Sequence, residues 1–184
     1  VGQGVLRECL MDRQIEQVLS VGRSLLTQTH PKLTEVIHSD FLNYSSIEKN
    51  LSGFDACFFC LGVSVVGKTE AQYRHVTYDM PLAAARTLGR LNPNMTFVYL
   101  SAAGVDSTGQ SRLMWARVRG RTENDLRKLS FKAAYSVRPA LIVPLHGIRS
   151  RTLIYRLPYI LLAPVLPLLK KLFPRYVTTT EIMG

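Results

Sequence analysis

Short apolar runs alternate along the chain with longer amphipathic segments. The runs at residues 15–23, 32–41, 54–62, 95–104 and 133–144 predict β-strands, and the segments at residues 4–12, 69–91 and 112–129 predict α-helices. Near-continuous apolar strands between amphipathic helices are typical of a parallel sheet covered on both faces, and the run at 54–62 is expected to be buried on both. The pattern predicts a doubly wound α/β fold of three α/β/α layers, with a ligand crevice at the carboxyl ends of the strands.

Both ends of the chain look cut. Gly2 and Gly4 lead directly into helical periodicity without a preceding strand, and Thr178 and Glu181 have the spacing of a capping box that begins a helix, close to the last residue. We therefore expect a fragment, or a chain that lacks the first strand of its sheet and a final helix. Residues 1–184 show no repeat or linker and are interpreted as a single domain.

Composition adds a strong charge asymmetry to this picture. The 184 residues and an apolar content of 47% suit one globular domain. The net charge of +10 is concentrated toward the C-terminus, because residues 112–184 hold 14 of the 23 basic residues but 3 of the 13 acidic ones. This favours an anionic ligand, an acidic substrate or a membrane surface near that part, or equally a solvated basic face. No zinc-finger spacing or base-stacking motif accompanies the charge, so nucleic acid is not an expected partner.

The cysteines and histidines do not predict a disulfide framework or a metal site. Cys57 and Cys60 have C-x-x-C spacing, but in a strand residues three apart point to opposite faces, which favours packing over redox or metal chemistry. Three cysteines in a chain of this size favour a reducing, cytoplasmic location. The most apolar stretch, residues 157–169, is shorter than the ~20 residues that cross a bilayer and contains three prolines.

The end of the strand predicted at residues 15–23 is the first candidate cofactor contact. In a doubly wound nucleotide-binding sheet this position lies beside the adenosine ribose, where an acidic residue accepts from the 2′-hydroxyl and a basic residue pairs with a 2′-phosphate. Gly22, Arg23 and Ser24 stand here, and the planar guanidinium can donate two parallel hydrogen bonds to a phosphate. The sequence therefore favours NADP over NAD, with an exposed loop arginine as the alternative.

Two further strand ends offer cofactor contacts. Asp40 and Phe41 end the run at 32–41. Asp40 could accept a hydrogen bond from the amino group of an adenine and Phe41 could cover the base, although aspartate is also a good turn residue at a strand exit. Leu61 and Gly62 end the next strand. Because Gly62 has no Cβ, the backbone there can approach the pyrophosphate or the adenosine ribose closely.

Seven motifs follow one another in the order and at the spacing of a known family: VGQGVLRECL, SVGRS, HSDF, FFCLGVS, FVYLSAAGVDST, WARVRGRTEN and VRPALIVPLHGIRS. With them, nearly the whole chain resembles the atypical short-chain dehydrogenase/reductases, in particular an NAD(P)-binding group related to epimerase/dehydratase-like proteins and to the Tat-interacting-protein-like oxidoreductases. The resemblance implies a Rossmann-like fold that holds NAD(P), with Gly2 as the last glycine of the nucleotide-binding loop. Because the earlier glycines are absent, this chain as it stands is expected to bind the cofactor poorly.

Residues 101–125, SAAGVDSTGQSRLMWARVRGRTEND, have the spacing of the family's reaction centre. The family has a serine at the end of the fifth strand, then a tyrosine and a lysine four residues apart on one helix face. Ser101 matches the serine region, while Trp115 and Arg119 stand at the other two places. An indole N–H cannot act as a general acid or base near neutral pH, whereas Arg119 keeps the charge and donors that grip ribose hydroxyls or phosphate.

Another group would therefore have to supply a proton. The hydroxyl candidates are Tyr73, Tyr78, Tyr99, Ser107 and Tyr135, and a substrate hydroxyl or an ordered water is an alternative. Two functions stay open. One is an NADP-dependent oxidoreductase with a non-standard site, and the other is an inactive NADP(H)-sensing or protein-interaction module in which Trp115 is a packing residue.

Residues 148–176 correspond, by the same resemblance, to the segment that shapes the substrate pocket after the turn at Arg138 and Pro139. They are apolar, broken by prolines and fringed by the basic residues Arg149, Arg151, Arg156, Lys170, Lys171 and Arg175. This composition suits an amphipathic anion such as an acyl or lipid-like molecule, or shallow docking on an anionic membrane. A hydrophobic lid or a homodimer surface with ordinary solubilising charge is the alternative, and the substrate itself is not specified.

Overall fold

The computed structural model of the protein describes residues 1–143 and 177–181. The chain divides into two compact units, one of residues 17–138 and one of residues 1–16 with 139–184. The interpretation of residues 1–184 as one domain stays a prediction.

The larger unit contains five parallel strands. Strands β1 (Val18–Gly22) and β2 (Leu33–Ile37) pair with Val18 opposite Leu33. Strands β3 (Ala56–Phe59), β4 (Thr96–Leu100) and β5 (Ala133–Val137) form a second sheet in the order β3-β4-β5. Because these three strands are parallel, the residues that follow Phe59, Leu100 and Val137 lie along one edge of the sheet. The predicted parallel α/β architecture is confirmed.

Helices connect the strands of the second sheet. Between β3 and β4 lie α2 (Glu70–Arg74), a π-helical turn (His75–Asp79) and α3 (Met80–Leu91), where a single helix was predicted. Thr69 begins this segment with a capping box, since its side chain accepts from the Gln72 N–H and the Gln72 side chain accepts from the Thr69 N–H. Helix α4 (Met114–Leu126) precedes β5 and packs against the π-helical turn, α2 and α3. A 3-10 helix at Ser45–Asn50 was not predicted.

The core of this unit lies between the sheet and helices α3 and α4. Phe97 and Tyr99 of the central strand are almost completely buried, and Phe97 stacks on Phe131 with ring centroids 5.2 Å apart. The expectation that β3 is buried on both faces is wrong, because Phe59 is 7% exposed but its neighbour Phe58 is 41% exposed. Successive strand residues point to opposite faces, and the face of Phe58 is not the one that α3 and α4 cover.

The smaller unit contains α1 (Gly2–Met11) and the parallel strands β6 (Leu141–Val143) and β7 (Val177–Thr179). A Cβ added to Gly4 would stand 2.7 Å from the Thr180 carbonyl oxygen, so glycine is what allows α1 to approach that residue. The single strand predicted at 133–144 is wrong, since β5 ends at Val137 and β6 begins at Leu141. Pro139 lies in the gap, and its lack of an N–H interrupts a strand ladder.

Two further points concern the expected final helix and membrane-spanning segments. The expectation that a helix begins after Thr178 is wrong, because Thr178 and Thr179 belong to β7 and pair with β6; residues 182–184, which that helix would also involve, lie outside the described residues. Among the helices that the structure describes, none is both long and apolar enough to cross a bilayer.

Candidate functional site

Arg119 lies at the edge of the second sheet where β4 ends. Its Nη1 donates to the carbonyl oxygen of Leu100, the last residue of β4, at 3.0 Å, and its Nε donates to the Tyr73 hydroxyl of α2 at 2.9 Å. The side chain is half-buried, and Nη2 has no hydrogen-bond acceptor among residues 1–143 and 177–181. The guanidinium is therefore anchored to two elements and keeps donors for a ligand.

Ser101, the next residue after β4, is buried against α4. Its hydroxyl donates to Oε1 of Glu123 at 2.5 Å, and the Glu123 side chain is completely buried. Arg138 supplies the opposite charge, with Nε 3.0 Å from Oε1 and Nη2 2.5 Å from Oε2 of Glu123. These hydrogen bonds to Glu123 raise the pKa of Arg138. The hydroxyl of the predicted catalytic serine is thus bound to a carboxylate of the protein itself.

The loop between β4 and α4 lies directly on the helix. A Cβ on Gly120 would stand 1.7 Å from the Asp106 carbonyl oxygen, so this approach requires glycine. The Asp106 carboxylate accepts from the N–H groups of Thr108 at 2.9 Å and Ser111 at 2.6 Å, and from the Thr108 hydroxyl at 2.7 Å. These bonds, led by the one from the Thr108 hydroxyl, lower the pKa of Asp106. The loop is held in place by its own side chains.

Trp115 packs on the same loop. Gly104 has a φ of +80°, and a Cβ there would stand 3.3 Å from Cη2 of the indole. Both the backbone conformation and the close contact favour glycine at that position. Trp115 is half-buried one helical turn before Arg119, and it is the only tryptophan of the 184 residues.

The five hydroxyl candidates differ in what they contact. Tyr73 accepts from Arg119, and the Ser107 hydroxyl accepts from Nη2 of Arg138 at 2.8 Å. Tyr78 donates to Asp125 at 2.7 Å, and Tyr99 donates to the Thr77 carbonyl at 3.1 Å. Burial raises the pKa of Tyr99 to about 12, which the nearby Arg119 guanidinium partly opposes. Tyr135 is 60% exposed. Of these five residues, only Tyr73 and Ser107 therefore hydrogen-bond to Arg119 and Arg138, the two cations of this site.

The carboxyl end of β1 carries the residues expected near the adenosine ribose. The Gly22 carbonyl accepts from the His38 N–H at 2.8 Å, which joins the ends of β1 and β2. Arg23 and Ser24 are exposed. Within the described ranges Arg23 forms no ion pair or hydrogen bond, so its guanidinium can receive an anion.

Asp40 and Phe41, which follow β2, have separate environments. Asp40 is exposed, and its Oδ1 accepts from the Leu42 N–H at 3.1 Å, as is common in turns. Phe41 is 7% exposed and packs edge-to-face on His38 and Tyr44, with centroids 5.9 and 6.4 Å away. The ring of Phe41 belongs to the core in this structure, while the Asp40 carboxylate faces solvent.

Leu61 and Gly62 follow β3 at the same sheet edge as Ser101. Gly62 is exposed, and a Cβ added to it would meet no atom of the described residues within 4 Å. The packing of the described residues therefore does not require glycine at 62, and the space beside it can take a ligand. Gly2, the other glycine expected at the cofactor, is exposed at the start of α1 in the smaller unit.

Cys57, within β3, carries a free thiol. Burial, together with the nearby Cys60, raises the pKa of the Cys57 thiol to about 12. A thiol with so high a pKa is a poor nucleophile and metal ligand near neutral pH.

Sequence reasoning missed Glu123 as a member of the site and left Tyr73 as one of five hydroxyls. The signal for Glu123 was the spacing, since it lies four residues after Arg119 and so on the same face of α4. Tyr73 and Arg119 are 46 residues apart in sequence, and no spacing rule joins them. The substrate-pocket, membrane and homodimer predictions for residues 148–176 lie outside the described residues.

Two curated proteins are similar to the chain in sequence, and no family model matches it. The leucinostatins biosynthesis cluster protein T of Purpureocillium lilacinum is 25% identical over 166 residues, and the mitochondrial protein FMP52-2 of Scheffersomyces stipitis is 26% identical over 144 residues. Each alignment covers 77% of this chain but 61% and 62% of the respective relative. The chain thus spans less than two thirds of the length of these relatives.

Several solved structures have the same fold. Serine dehydrogenase in its closed form with NADP+ aligns over 98% of this chain and 80% of its own, with a TM-score of 0.56 and 14% identity. Serine dehydrogenase from Escherichia coli covers 77% and 78%, with a TM-score of 0.54 and 14% identity. An oxidoreductase from Lactococcus lactis covers 77% and 65%, with a TM-score of 0.58 and 12% identity. At these identities the likeness establishes the fold, and the chain has the Rossmann-like α/β fold predicted from its sequence.

Proposed function

We propose that the protein is an NADP-dependent oxidoreductase of the atypical short-chain dehydrogenase/reductase type with a non-standard reaction centre. The main support for this proposal is that Arg119 is anchored to the end of β4 and still has Nη2 available for a ligand. A cation at the carboxyl end of a central parallel strand stands where this fold receives its ligands. Arg23, which pairs with none of the described residues, and the space beside Gly62 support the same cofactor.

The proposed roles follow from the chemistry of each group. When bound, the nicotinamide cofactor supplies hydride transfer. Arg23 pairs with the 2′-phosphate, since its guanidinium is exposed and meets no carboxylate of the described chain. Gly62 lets the backbone approach the cofactor, and Arg119 donates to its hydroxyl or phosphate oxygens. Trp115 holds the loop at Gly104 and transfers no proton.

A second candidate function is an NADP(H)-binding module without turnover. Two features favour it: the Ser101 hydroxyl already donates a hydrogen bond to the buried Glu123, and residue 115 is a tryptophan. Both remove groups that would hold or protonate a substrate carbonyl. Neither affects the residues proposed to hold the cofactor, so binding and turnover have to be tested separately.

Energy transfer from Trp115 to NADPH tests the binding proposal. Excitation of tryptophan in the full-length protein should give NADPH emission that saturates with added NADPH, and NADH should need a higher concentration. The Trp115→Phe variant should lose the part of this signal that comes from Trp115, while direct NADPH fluorescence still reports binding. Failure of both cofactors to bind saturably would refute the proposal.

A panel of carbonyl compounds then separates the two functions. Turnover of NADPH by the wild type supports the oxidoreductase, whereas turnover by Trp115→Tyr alone favours the binding module, because the natural residue at 115 then prevents the reaction. If both proteins bind NADPH and neither oxidises it with any compound, the binding module is favoured.

A further inference from the structure

Tyr73 is almost completely buried although its side chain carries a polar hydroxyl group. It belongs to the five-residue helix α2 and is 2% exposed. Its hydroxyl accepts from Nε of Arg119 at 2.9 Å, which connects α2 to α4. A buried hydroxyl needs a hydrogen-bond partner, and here the partner is the cation of the candidate site.

The acceptors of Arg119 fix the plane of its guanidinium. Nε is bound by Tyr73 and Nη1 by the Leu100 carbonyl, so the hydrogen bonds come from two different elements. A planar group held at two of its three nitrogens cannot rotate freely, which lowers the side-chain entropy that ligand binding would otherwise cost. The third nitrogen, Nη2, keeps both of its N–H donors.

The structure around Tyr73 is itself held firmly. The Thr77 carbonyl in the π-helical turn accepts from the Tyr99 hydroxyl at 3.1 Å and from the Thr122 hydroxyl at 3.0 Å. These bonds join the turn that follows Tyr73 to β4 and to α4. The helix that presents Tyr73 is thus fixed relative to the strand and the helix that meet at Arg119.

We propose that Tyr73 is a positioning residue that holds the Arg119 guanidinium so that Nη2 binds the nicotinamide cofactor. This inference rests on the proposed NADP-binding function and deepens it. An arginine in place of lysine gains from such a partner, because a guanidinium can be fixed by two hydrogen bonds and still donate others, whereas an ammonium has one nitrogen for all its contacts. Tyr73 acts through Arg119 and transfers no proton in this proposal.

The contact itself is tested without cofactor. Hydrogen exchange of the Arg119 Nε–H, assigned in NMR spectra with Arg119→Lys, should be slow in the wild type and clearly faster in Tyr73→Phe. Tyr78→Phe is the matched control, because its hydroxyl lies on the same helical segment but bonds to Asp125. Equal exchange rates in the wild type and Tyr73→Phe would overturn the proposal.

The consequence for binding is tested with NADPH. Tyr73→Phe should weaken NADPH binding by roughly threefold to tenfold, the effect of one hydrogen bond. In an Arg119→Met background the same change should have no effect, since Tyr73 then has no guanidinium to hold. An equal loss in both backgrounds would mean a general structural role and would overturn the proposal. If the wild type binds no NADPH, the proposed function fails, and the exchange measurement still decides whether Tyr73 holds Arg119.

Discussion

The Ser101 hydroxyl donates to the Glu123 carboxylate at 2.5 Å, and this carboxylate is completely buried. A buried charge is tolerated only when it is paired and hydrogen-bonded. Arg138 and Ser101 provide this for Glu123, and Arg127 adds a longer contact of 3.5 Å to Oε2. The network joins the end of β4 to α4 and to the residue that follows β5. Ser101 can still accept a hydrogen bond from a ligand, but to donate one it must leave Glu123.

Replacement of Glu123 by glutamine tests this network. The neutral amide keeps the shape but no longer pairs with Arg138, so the free energy of unfolding should fall by roughly 1–3 kcal/mol. The lower part of that range is expected because the Arg138 side chain is 37% exposed and gains water. Urea unfolding measures the change.

Glu48→Gln is the control for Glu123→Gln. Glu48 pairs with Arg90 at the surface, where the side chains are 35% and 59% exposed. Loss of such a pair costs less than about 1 kcal/mol. Equal losses in the two variants would show that the buried network contributes no more than a surface ion pair.

Gly120→Ala tests the contact between the loop and α4. The new methyl would stand 1.7 Å from the Asp106 carbonyl oxygen, and backbone atoms have to move to admit it. Overpacking of this kind should lower the free energy of unfolding by roughly 1–3 kcal/mol. Alanine is otherwise the better helix former, so a more stable Gly120→Ala protein in urea unfolding would contradict the described contact.

The sequence predicted the type and order of most elements, because apolar periodicity and strand exits are local features, but it missed the break between β5 and β6 and the 3-10 helix. The position of Arg119 was accessible in the same way, through its four-residue spacing from Trp115. Its partner Tyr73 was not, since α2 and α4 meet only through the fold. Likewise, the hydrogen bond between Ser101 and Glu123 joins residues 22 apart in sequence.

Side-chain environment was harder to predict than element type. Phe41 was expected to cover an adenine at a strand exit, yet it packs on His38 and Tyr44 in the core. Phe58 was expected to be buried, yet its side of β3 is exposed. In both cases an apolar residue is compatible with either environment, and the neighbours that decide between them come from other parts of the chain.

The Tyr78–Asp125 hydrogen bond should make stability depend on pH at both extremes. The bond raises the pKa of Tyr78 from 10.0, and hydrogen bonds from Lys128 and then Tyr78 lower the pKa of Asp125 from 3.8. The tyrosine contribution is complete below pH 10 and lost as pH rises through the raised value. The aspartate contribution is complete above pH 4 and lost as pH falls through the lowered value.

Urea unfolding of the wild type and Tyr78→Phe over a pH series measures this dependence. The stability difference between the two should be largest near neutral pH and should shrink in strong alkali and strong acid. Tyr135→Phe is the control, since Tyr135 is 60% exposed. A Tyr78→Phe difference that stays constant at every pH would contradict the role of this bond.

Gly62→Ala tests whether Gly62 is needed for cofactor binding and not for folding. Because a Cβ at this position meets no atom of residues 1–143 and 177–181 within 4 Å, the free energy of unfolding should change by less than about 0.5 kcal/mol. If the protein backbone at Gly62 contacts the cofactor, the same methyl group should weaken NADPH binding at least severalfold. NADPH fluorescence measures this change. Unchanged affinity in a stably folded Gly62→Ala protein would remove Gly62 from the proposed site.

Arg23→Ala tests the choice between NADP and NAD. Loss of a charge-assisted contact to the 2′-phosphate should weaken NADPH binding by roughly tenfold to a hundredfold, while NADH, which lacks that phosphate, should bind as before. Arg86→Ala removes the same charge from an exposed position on α3 and should change neither affinity. The ratio of the two affinities is informative because a general loss of positive charge or of stability lowers both. A ratio that Arg23→Ala leaves unchanged would mean that Arg23 is an ordinary exposed loop residue, and that selection of the phosphate has to come from elsewhere in the protein.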